Sequence, residues 1–103
     1  MRKFETMLLL SPELSGEARE EALAVLTGVI EREGGKALES DHWGMRDLAY
    51  PIRKHTRGYY VRLVYQGPPS LVAELERNIR IHEHFYRFVT VRLEEAGEEA
   101  DVQ

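Results

Sequence analysis

A proline inside an extended segment restricts where residues 44–54 can lie in a fold. Through this segment apolar side chains alternate with other residues at a period of about two, which predicts a β-strand. Pro51 falls inside the segment, and proline has no N–H group to donate to a neighbouring strand. The sequence therefore predicts an edge strand, and basic residues follow it directly over residues 53–57.

Hydrophobic periodicity divides the rest of the chain into further strands and two helices. Two-residue alternation predicts strands over residues 2–10, 36–52, 59–66 and 85–93, with a bend near Gly44 and a loop over residues 53–58. Three- and four-residue apolar steps predict helices over residues 15–33 and 68–81, with Ser15 as the N-cap of the first. The first strand is apolar on both faces near its end, which predicts a central position.

The resulting order is β-α-β-β-α-β, the α+β ferredoxin-like arrangement. We expect a four-stranded antiparallel sheet with two helices on one face and the other face open. The sequence leaves undecided which face of the last strand meets the helices. A chain of 103 residues suits one domain, predicted over residues 1–93. Residues 94–103 hold five acids and no base, which predicts an acidic, disordered tail.

Charge is distributed unevenly along the chain. The net charge is −4, but without residues 94–103 there remain 14 bases against 13 acids. No acid occurs over residues 48–73, whereas residues 13–33 hold six acids and two bases. This pattern fits a cationic region presented to an anionic partner. It also fits ordinary scatter with a solvated acidic helix, and charge alone does not separate the two interpretations.

No pattern in the chain predicts an enzyme or a cofactor. There is no nucleophile elbow, phosphate-binding glycine loop or dinucleotide fingerprint. The chain has no cysteine, which excludes disulfides and thiol chemistry and fits a reducing cytoplasm. His82 and His84 form a His-x-His pair, but a metal site needs three or four ligands. His42 and His55 lie in distant loops, so we predict no metal, and no run is long enough to span a membrane.

Residues 44–54, Gly-Met-Arg-Asp-Leu-Ala-Tyr-Pro-Ile-Arg-Lys, resemble the bacterial small-subunit ribosomal protein six family. The family signature Arg-x-Leu-Ala-Tyr-Pro-Ile with a nearby lysine is present as residues 46–52 and Lys54. Residues 1–5, 58–60 and 87–88 also match the family pattern, so the resemblance covers nearly the whole chain. It implies the split β-α-β-β-α-β fold and a structural role in the small-subunit platform.

The resemblance further implies a cytoplasmic, ribosomal protein that pairs with small-subunit ribosomal protein eighteen and binds small-subunit rRNA. We expect basic residues to contact rRNA and residues of the edge strand to contact the partner protein. The expected rRNA-binding residues are Arg2, Lys3, Arg53, Lys54, His55, Arg57 and Arg87. The expected partner-protein interface is Trp43, Met45, Arg46, Leu48 and Tyr50.

Two residues of the edge strand allow more than one interpretation. Trp43 is either a partly buried bulge residue or an anchor in the partner interface, a role in which tryptophan is enriched. Asp47 departs from the pattern of many relatives, which carry a base or a neutral polar residue there. It could pair with Arg46 or weaken a phosphate contact, which would favour a protein contact for Arg46.

A different class of protein would also fit a ferredoxin-like chain. A regulatory or small-ligand-binding domain of this fold could oligomerise through the same edge strand. That alternative predicts a concave pocket with convergent polar groups and a stable homo-oligomer.

Overall fold

The computed structural model describes residues 2–93, so the predicted acidic tail at 94–103 lies outside the described residues. The elements run in the predicted order, and the sheet order β2-β3-β1-β4 is antiparallel throughout, which confirms the ferredoxin-like fold. The edge position of the proline-containing strand and the central position of the first strand are also confirmed. The elements are β1 (Arg2–Leu10), α1 (Gly16–Arg32), β2 (Lys36–Ile52), β3 (His55–Gly67), α2 (Ser70–Ile81) and β4 (Phe85–Leu93).

Both helices cover the same face of the sheet and enclose one core. Alternate residues of β1 and β3, such as Leu8 and Leu63, are fully buried against Leu26 of α1 and Leu75 of α2. Opposite this core lies the other face of the sheet, which we call the open face. Because Cβ atoms alternate along a strand, each strand contributes every second residue to the open face.

The structure decides which side of β4 meets the helices. Thr90 lies opposite Thr6, and their hydroxyl oxygens are 2.8 Å apart beneath the helices. Phe88 packs against the same core, whereas Val89 and Val91 are exposed on the open face. At Phe88 and Thr90 the even-numbered side therefore faces the core, which periodicity alone left undecided. At the start of the strand the odd-numbered Phe85 is the core residue, because the register with β1 shifts between Leu9 and Leu10.

The ends of α1 follow the local signals in the sequence. The Ser15 hydroxyl accepts a hydrogen bond from the Ala18 N–H at 3.1 Å, which satisfies one free donor of the first turn. The helix ends just before Gly34, whose φ of +86° is accessible to glycine without steric cost.

The loop predicted over residues 53–58 is wrong, because β3 already begins at His55. The turn between β2 and β3 consists of Arg53 and Lys54 alone, with φ angles of 51° and 69°. Positive φ at both central residues matches the twist of a two-residue hairpin. Such turns usually contain asparagine or glycine. Because Arg53 and Lys54 are neither, nothing in the sequence indicated a two-residue turn here.

Two irregularities interrupt β2 along the sheet edge. The first is the bend predicted near Gly44, where φ is +89° and the register with β3 shifts between His42 and Gly44. The second is larger: between the pairs Asp47↔Arg57 and Ile52↔His55, residues 48–51 face a single residue of β3. We call residues 48–51 the β2 bulge; Pro51 sits within it, outside the regular ladder.

Candidate nucleic-acid and partner interface

The β2 bulge forms the wall of an apolar cavity on the open face. The cavity has a volume of about 260 Å³ and is lined by Leu48, Tyr50, Leu9 and Val89, among others. Leu9 points away from the helices, yet only 2% of its surface is exposed. A Cβ on Gly58 would lie 2.3 Å from the Cδ1 atom of Leu9, so a larger residue at position 58 would force the Leu9 side chain to shift. The open face is therefore partly covered by the chain's own bulge.

Tyr50 links the two edge strands of the sheet. The Arg87 guanidinium of β4 donates a hydrogen bond to the Tyr50 hydroxyl and lies 5.1 Å from the centre of its ring. Half of Tyr50 nevertheless remains exposed, at 53%. An exposed aromatic ring beside an apolar cavity is the kind of group that anchors a protein interface.

The hairpin tip, which we define as residues 53–57, carries cations and packs against the start of β4. The Arg53 guanidinium lies 4.8 Å from the ring centre of Tyr86. The His55 ring is stacked with the Tyr86 ring at a centroid distance of 6.1 Å and an interplanar angle of 12°. The structure therefore brings Arg53, His55 and Arg87 to one end of the sheet, although they are distant in sequence.

Asp47 pairs with Arg57 rather than with its sequence neighbour Arg46. The Asp47 carboxylate lies 3.2 Å from Arg57 Nε, directly opposite in the β2–β3 register. Arg46 Nε instead donates to the Trp43 carbonyl oxygen at 3.2 Å. The interpretation that Asp47 neutralises Arg46 is thus corrected. Within residues 2–93 no carboxylate lies within 4.0 Å of Arg53 or Lys54 nitrogens, so these two keep their full charge.

The middle of the open face is acidic, a feature that the sequence analysis missed. Arg62 is surrounded by Glu5 at 2.9 Å, Glu39 at 3.7 Å and Asp41 at 4.0 Å. We call these three acids and Arg62 the acidic cluster; its formal charge is −2. Trp43 borders it, because its indole N–H donates to Asp41 Oδ2 at 3.2 Å. The cluster forms because the pairing of β1, β2 and β3 brings these residues together. In the sequence, the two-residue spacing of Glu39 and Asp41 indicated only that these two acids share a face.

The structure separates several residues that we expected to act together. Arg2 pairs with Gly67 and Lys3 with Gln66, at the end of the sheet opposite the hairpin tip. β3 runs from His55 at the hairpin tip to Gly67 beside Arg2. At about 3.3 Å per residue, the hairpin tip and the N-terminal pair Arg2 and Lys3 are therefore about 40 Å apart along the strand. Met45 pairs with Tyr59, which packs on the core, so Met45 lies on the helix side. It does not share a surface with the β2 bulge.

The histidine pair has no third potential metal ligand beside it among the described residues. The His82 and His84 rings are 5.4 Å apart, but residues 2–93 contain no group of three or more potential ligands. Burial lowers the pKa of His82, and the neighbouring His84 lowers it further. In the described part of the chain no helix is long and apolar enough to cross a membrane.

Comparison with known proteins identifies the family. A family model described as Ribosomal protein S6 matches residues 3–92. The small ribosomal subunit protein bS6 of Nitratidesulfovibrio vulgaris (strain Miyazaki F) is 66% identical over 99 residues, covering 96% of this chain and 98% of the relative. The protein of that name from Oleidesulfovibrio alaskensis is 68% identical over 100 residues, covering 97% and 99%.

A solved structure agrees with these sequence matches. The crystal structure of 30S ribosomal protein S6 from Thermotoga maritima has a TM-score of 0.87 at 27% identity, covering 96% of this chain and 94% of that chain. These relatives are ribosomal proteins and not enzymes, which confirms the prediction that the chain has no enzymatic role. The chain belongs to the ribosomal protein S6 family.

Proposed function

We propose that the protein binds small-subunit rRNA as a heterodimer with small-subunit ribosomal protein eighteen. Family membership makes it a protein of the small ribosomal subunit and therefore of the cytoplasm. The observation that carries the finer proposal is the separation of charge between the hairpin tip and the acidic cluster. A cationic end suits a nucleic acid, and an acidic, partly apolar face suits a basic protein.

The hairpin tip is the proposed rRNA contact. Arg53 and Lys54 are exposed and lack ion-pair partners within the described residues, so their charges are available to phosphates. Arg87 adds a third cation, which is hydrogen-bonded to the Tyr50 hydroxyl rather than to a carboxylate. Phosphate contacts position a nucleic acid and make its binding depend on salt. His55 and Arg57 complete this basic end.

Arg2 and Lys3 form a second proposed rRNA contact. Both are exposed at the start of β1, at the far end of the sheet from the hairpin tip. The two basic ends therefore require either one long RNA segment or two segments that meet at a junction.

The open face is the proposed surface for the partner protein. Leu48 and Tyr50 offer apolar contact area, and Trp43 is 45% exposed beside the acidic cluster. Acids next to exposed aromatic groups complement a basic protein with apolar side chains. Arg46 lies on this edge strand and contributes at the rim. Met45 lies on the helix side of β2, so it would contact only a partner that wraps around the outer edge of this strand.

The proposal predicts that the two proteins together bind rRNA more tightly than this chain alone. Charges outside the tail nearly cancel, so the isolated chain should bind an rRNA junction weakly at physiological salt. Filter binding or calorimetry would compare the isolated chain with an equimolar mixture of both proteins. Equal affinity of the chain and the mixture for the junction would refute the heterodimer mechanism.

A pair of single substitutions tests the protein-facing surface. Tyr50→Ala removes an exposed anchor and should cost about 2–4 kcal/mol of partner binding. Val25→Ala is the matched control, since Val25 is 47% exposed against 53% for Tyr50 but lies on α1. Calorimetric titration with the partner should show loss of affinity only for Tyr50→Ala. An unchanged affinity would remove Tyr50 from the interface.

A further inference from the structure

A second concavity lies along the outer edge of β4 and shares Arg53 and Arg87 with the proposed rRNA contact. We call it the β4-edge groove; its volume is about 440 Å³, within the range of small-ligand sites. It runs from the C-terminal turn of α2 across β4 to the hairpin tip. Its charged lining residues are three arginines, Arg53, Arg80 and Arg87, and no acid is among its lining residues.

The three arginines differ in how strongly they are neutralised. Arg80 lies 3.7 Å from Glu76 on the same helix, an exposed pair that screens it only weakly. Arg87 is bonded to the neutral Tyr50 hydroxyl, and Arg53 has no carboxylate within 4.0 Å in the described part of the chain. The groove is therefore positively charged and suits an anion.

Aromatic rings form the wall of the same groove. Arg53 lies over Tyr86, and Arg80 lies 5.2 Å from the ring centre of Phe88. Tyr86 is also stacked with His55, so one ring is shared by a cation and an imidazole. A ligand with both a phosphate and a planar base fits this combination, because arginine pairs with phosphate and aromatic rings stack on bases.

We propose that the β4-edge groove binds one unpaired nucleotide of RNA. The arginines hold its phosphates, and its base stacks on Tyr86 in the place that the Arg53 guanidinium now occupies over that ring. This inference rests on the proposed rRNA binding and deepens it, since it names an unpaired nucleotide as the element recognised. In a regular A-form duplex the bases are stacked inside the helix and are not available to a side chain.

An RNA strand is favoured over a free nucleotide by the position of the groove. The groove ends at Arg53, which also belongs to the hairpin tip, so cations continue beyond it towards Lys54. Its other border is β4, with whose outer side no strand within residues 2–93 is paired, so outward N–H groups there can donate to phosphate oxygens. The surface therefore provides for phosphates on both sides of the bound base.

Fluorescence anisotropy with a labelled single-stranded RNA of about ten nucleotides tests the stacking contact. A blunt duplex of the same sequence serves as the competing probe. Tyr86→Ala should weaken single-strand binding by roughly five- to hundredfold and leave duplex binding unchanged. Tyr86→Phe retains the ring and should bind the single strand like the wild type. Equal binding of the single strand by the alanine variant and the wild type would overturn the proposal.

Two arginines of α2 provide a matched test of the phosphate contact. Arg80 and Arg77 are 63% and 60% exposed in their side chains, but Arg77 lies outside the groove and is bonded to Glu74 at 2.6 Å. Arg80→Ala should weaken single-strand binding and reduce its salt dependence by about one phosphate contact. Arg77→Ala should do neither. Equal losses in both variants would show a general charge effect and contradict the groove.

The outcome for the groove can be separated from the outcome for the proposed function. An equimolar mixture of Tyr86→Ala and the partner protein is assayed on an rRNA junction beside the wild-type mixture. If the wild-type mixture binds the junction and Tyr86→Ala leaves single-strand binding unchanged, only the groove proposal fails. If the mixture does not bind the junction although the isolated chain binds the single strand through Tyr86, only the heterodimer proposal fails. Absence of single-strand binding by the wild type at low salt overturns the groove.

Discussion

Replacing Lys54 by glycine should stabilise the fold and weaken RNA binding at the same time. Lys54 is the second central residue of the β2–β3 turn and has a φ of 69°, in the left-handed region. Residues with a side chain avoid this region because Cβ approaches the following carbonyl oxygen. Glycine has no Cβ and is the preferred residue at this position of such turns.

The size of the stabilisation follows from two opposing contributions. Relief of the left-handed conformation is worth about 1–2 kcal/mol. Against this gain, glycine destabilises the folded state by about 0.5–1 kcal/mol, because the unfolded chain has more conformations to lose on folding. The expected net gain therefore lies between about 0 and 1.5 kcal/mol, and its midpoint of about 0.75 kcal/mol corresponds to about 3–6 °C in Tm for a domain of this size.

RNA binding should change in the opposite direction. Loss of one cation from the hairpin tip should reduce the slope of log K against log salt by about 0.7–0.9. Circular dichroism measures the Tm, and titrations at several salt concentrations measure the slope. Lys54→Ala is the control, because it removes the charge but keeps a Cβ at the same φ.

The two variants separate strain from charge. Both should lose the same RNA affinity, whereas only Lys54→Gly should gain stability. If Lys54→Ala were stabilised as much as Lys54→Gly, the gain would come from reduced charge repulsion at the tip. If Lys54→Gly were less stable than the wild type, the argument from backbone strain would be wrong.

Three further substitutions test other parts of the structure. Asp47→Ala releases Arg57 from an exposed ion pair, so RNA affinity should rise severalfold while the Tm changes by no more than about 2 °C. Unchanged RNA affinity would exclude Arg57 from the RNA contact. Tyr65→Phe removes a buried hydroxyl bonded to Thr6 at 2.8 Å, and chemical denaturation should show a loss of about 1–2 kcal/mol; an unchanged midpoint would contradict this value. The lowered pKa of His82 means that the fold favours the neutral imidazole, so stability is present above pH 6.5 and falls as the pH drops below it. His82→Asn should lose less stability than the wild type on acidification in parallel denaturant titrations, and an equal loss would assign the effect to other groups.

The topology was predictable because its signals are local. Ser15 begins α1 through its own hydroxyl, and Gly34 ends it through its own φ angle. Pro51 indicated an edge strand because proline cannot donate to a regular ladder, and the structure meets this constraint twice: β2 is an edge strand and Pro51 lies in its bulge. Each of these residues acts on neighbours within a few positions, so the sequence carried the information directly.

Features that depend on strand register were not predictable in the same way. The acidic cluster joins Glu5 of β1 to Glu39 and Asp41 of β2 through Arg62 of β3. A shift of one residue in either pairing would turn one set of side chains to the other face. The charge pattern along the chain could therefore predict a basic region, but it could not predict an acidic patch beside it.

The β2 bulge connects the proposed protein surface to the proposed RNA surface through Arg87. In the bulge, the four residues 48–51 lie opposite a single residue of β3, which lets Tyr50 reach across the open face to Arg87. This contact exists only because the bulge leaves the ladder. Arg87 lines both the apolar cavity and the β4-edge groove. A partner that displaced the Tyr50 hydroxyl would release the Arg87 guanidinium towards the groove and increase its attraction for phosphate. Because binding free energies are reciprocal, bound RNA would then favour the partner by the same amount. The proline-containing edge strand is thus where the two proposed interactions become coupled.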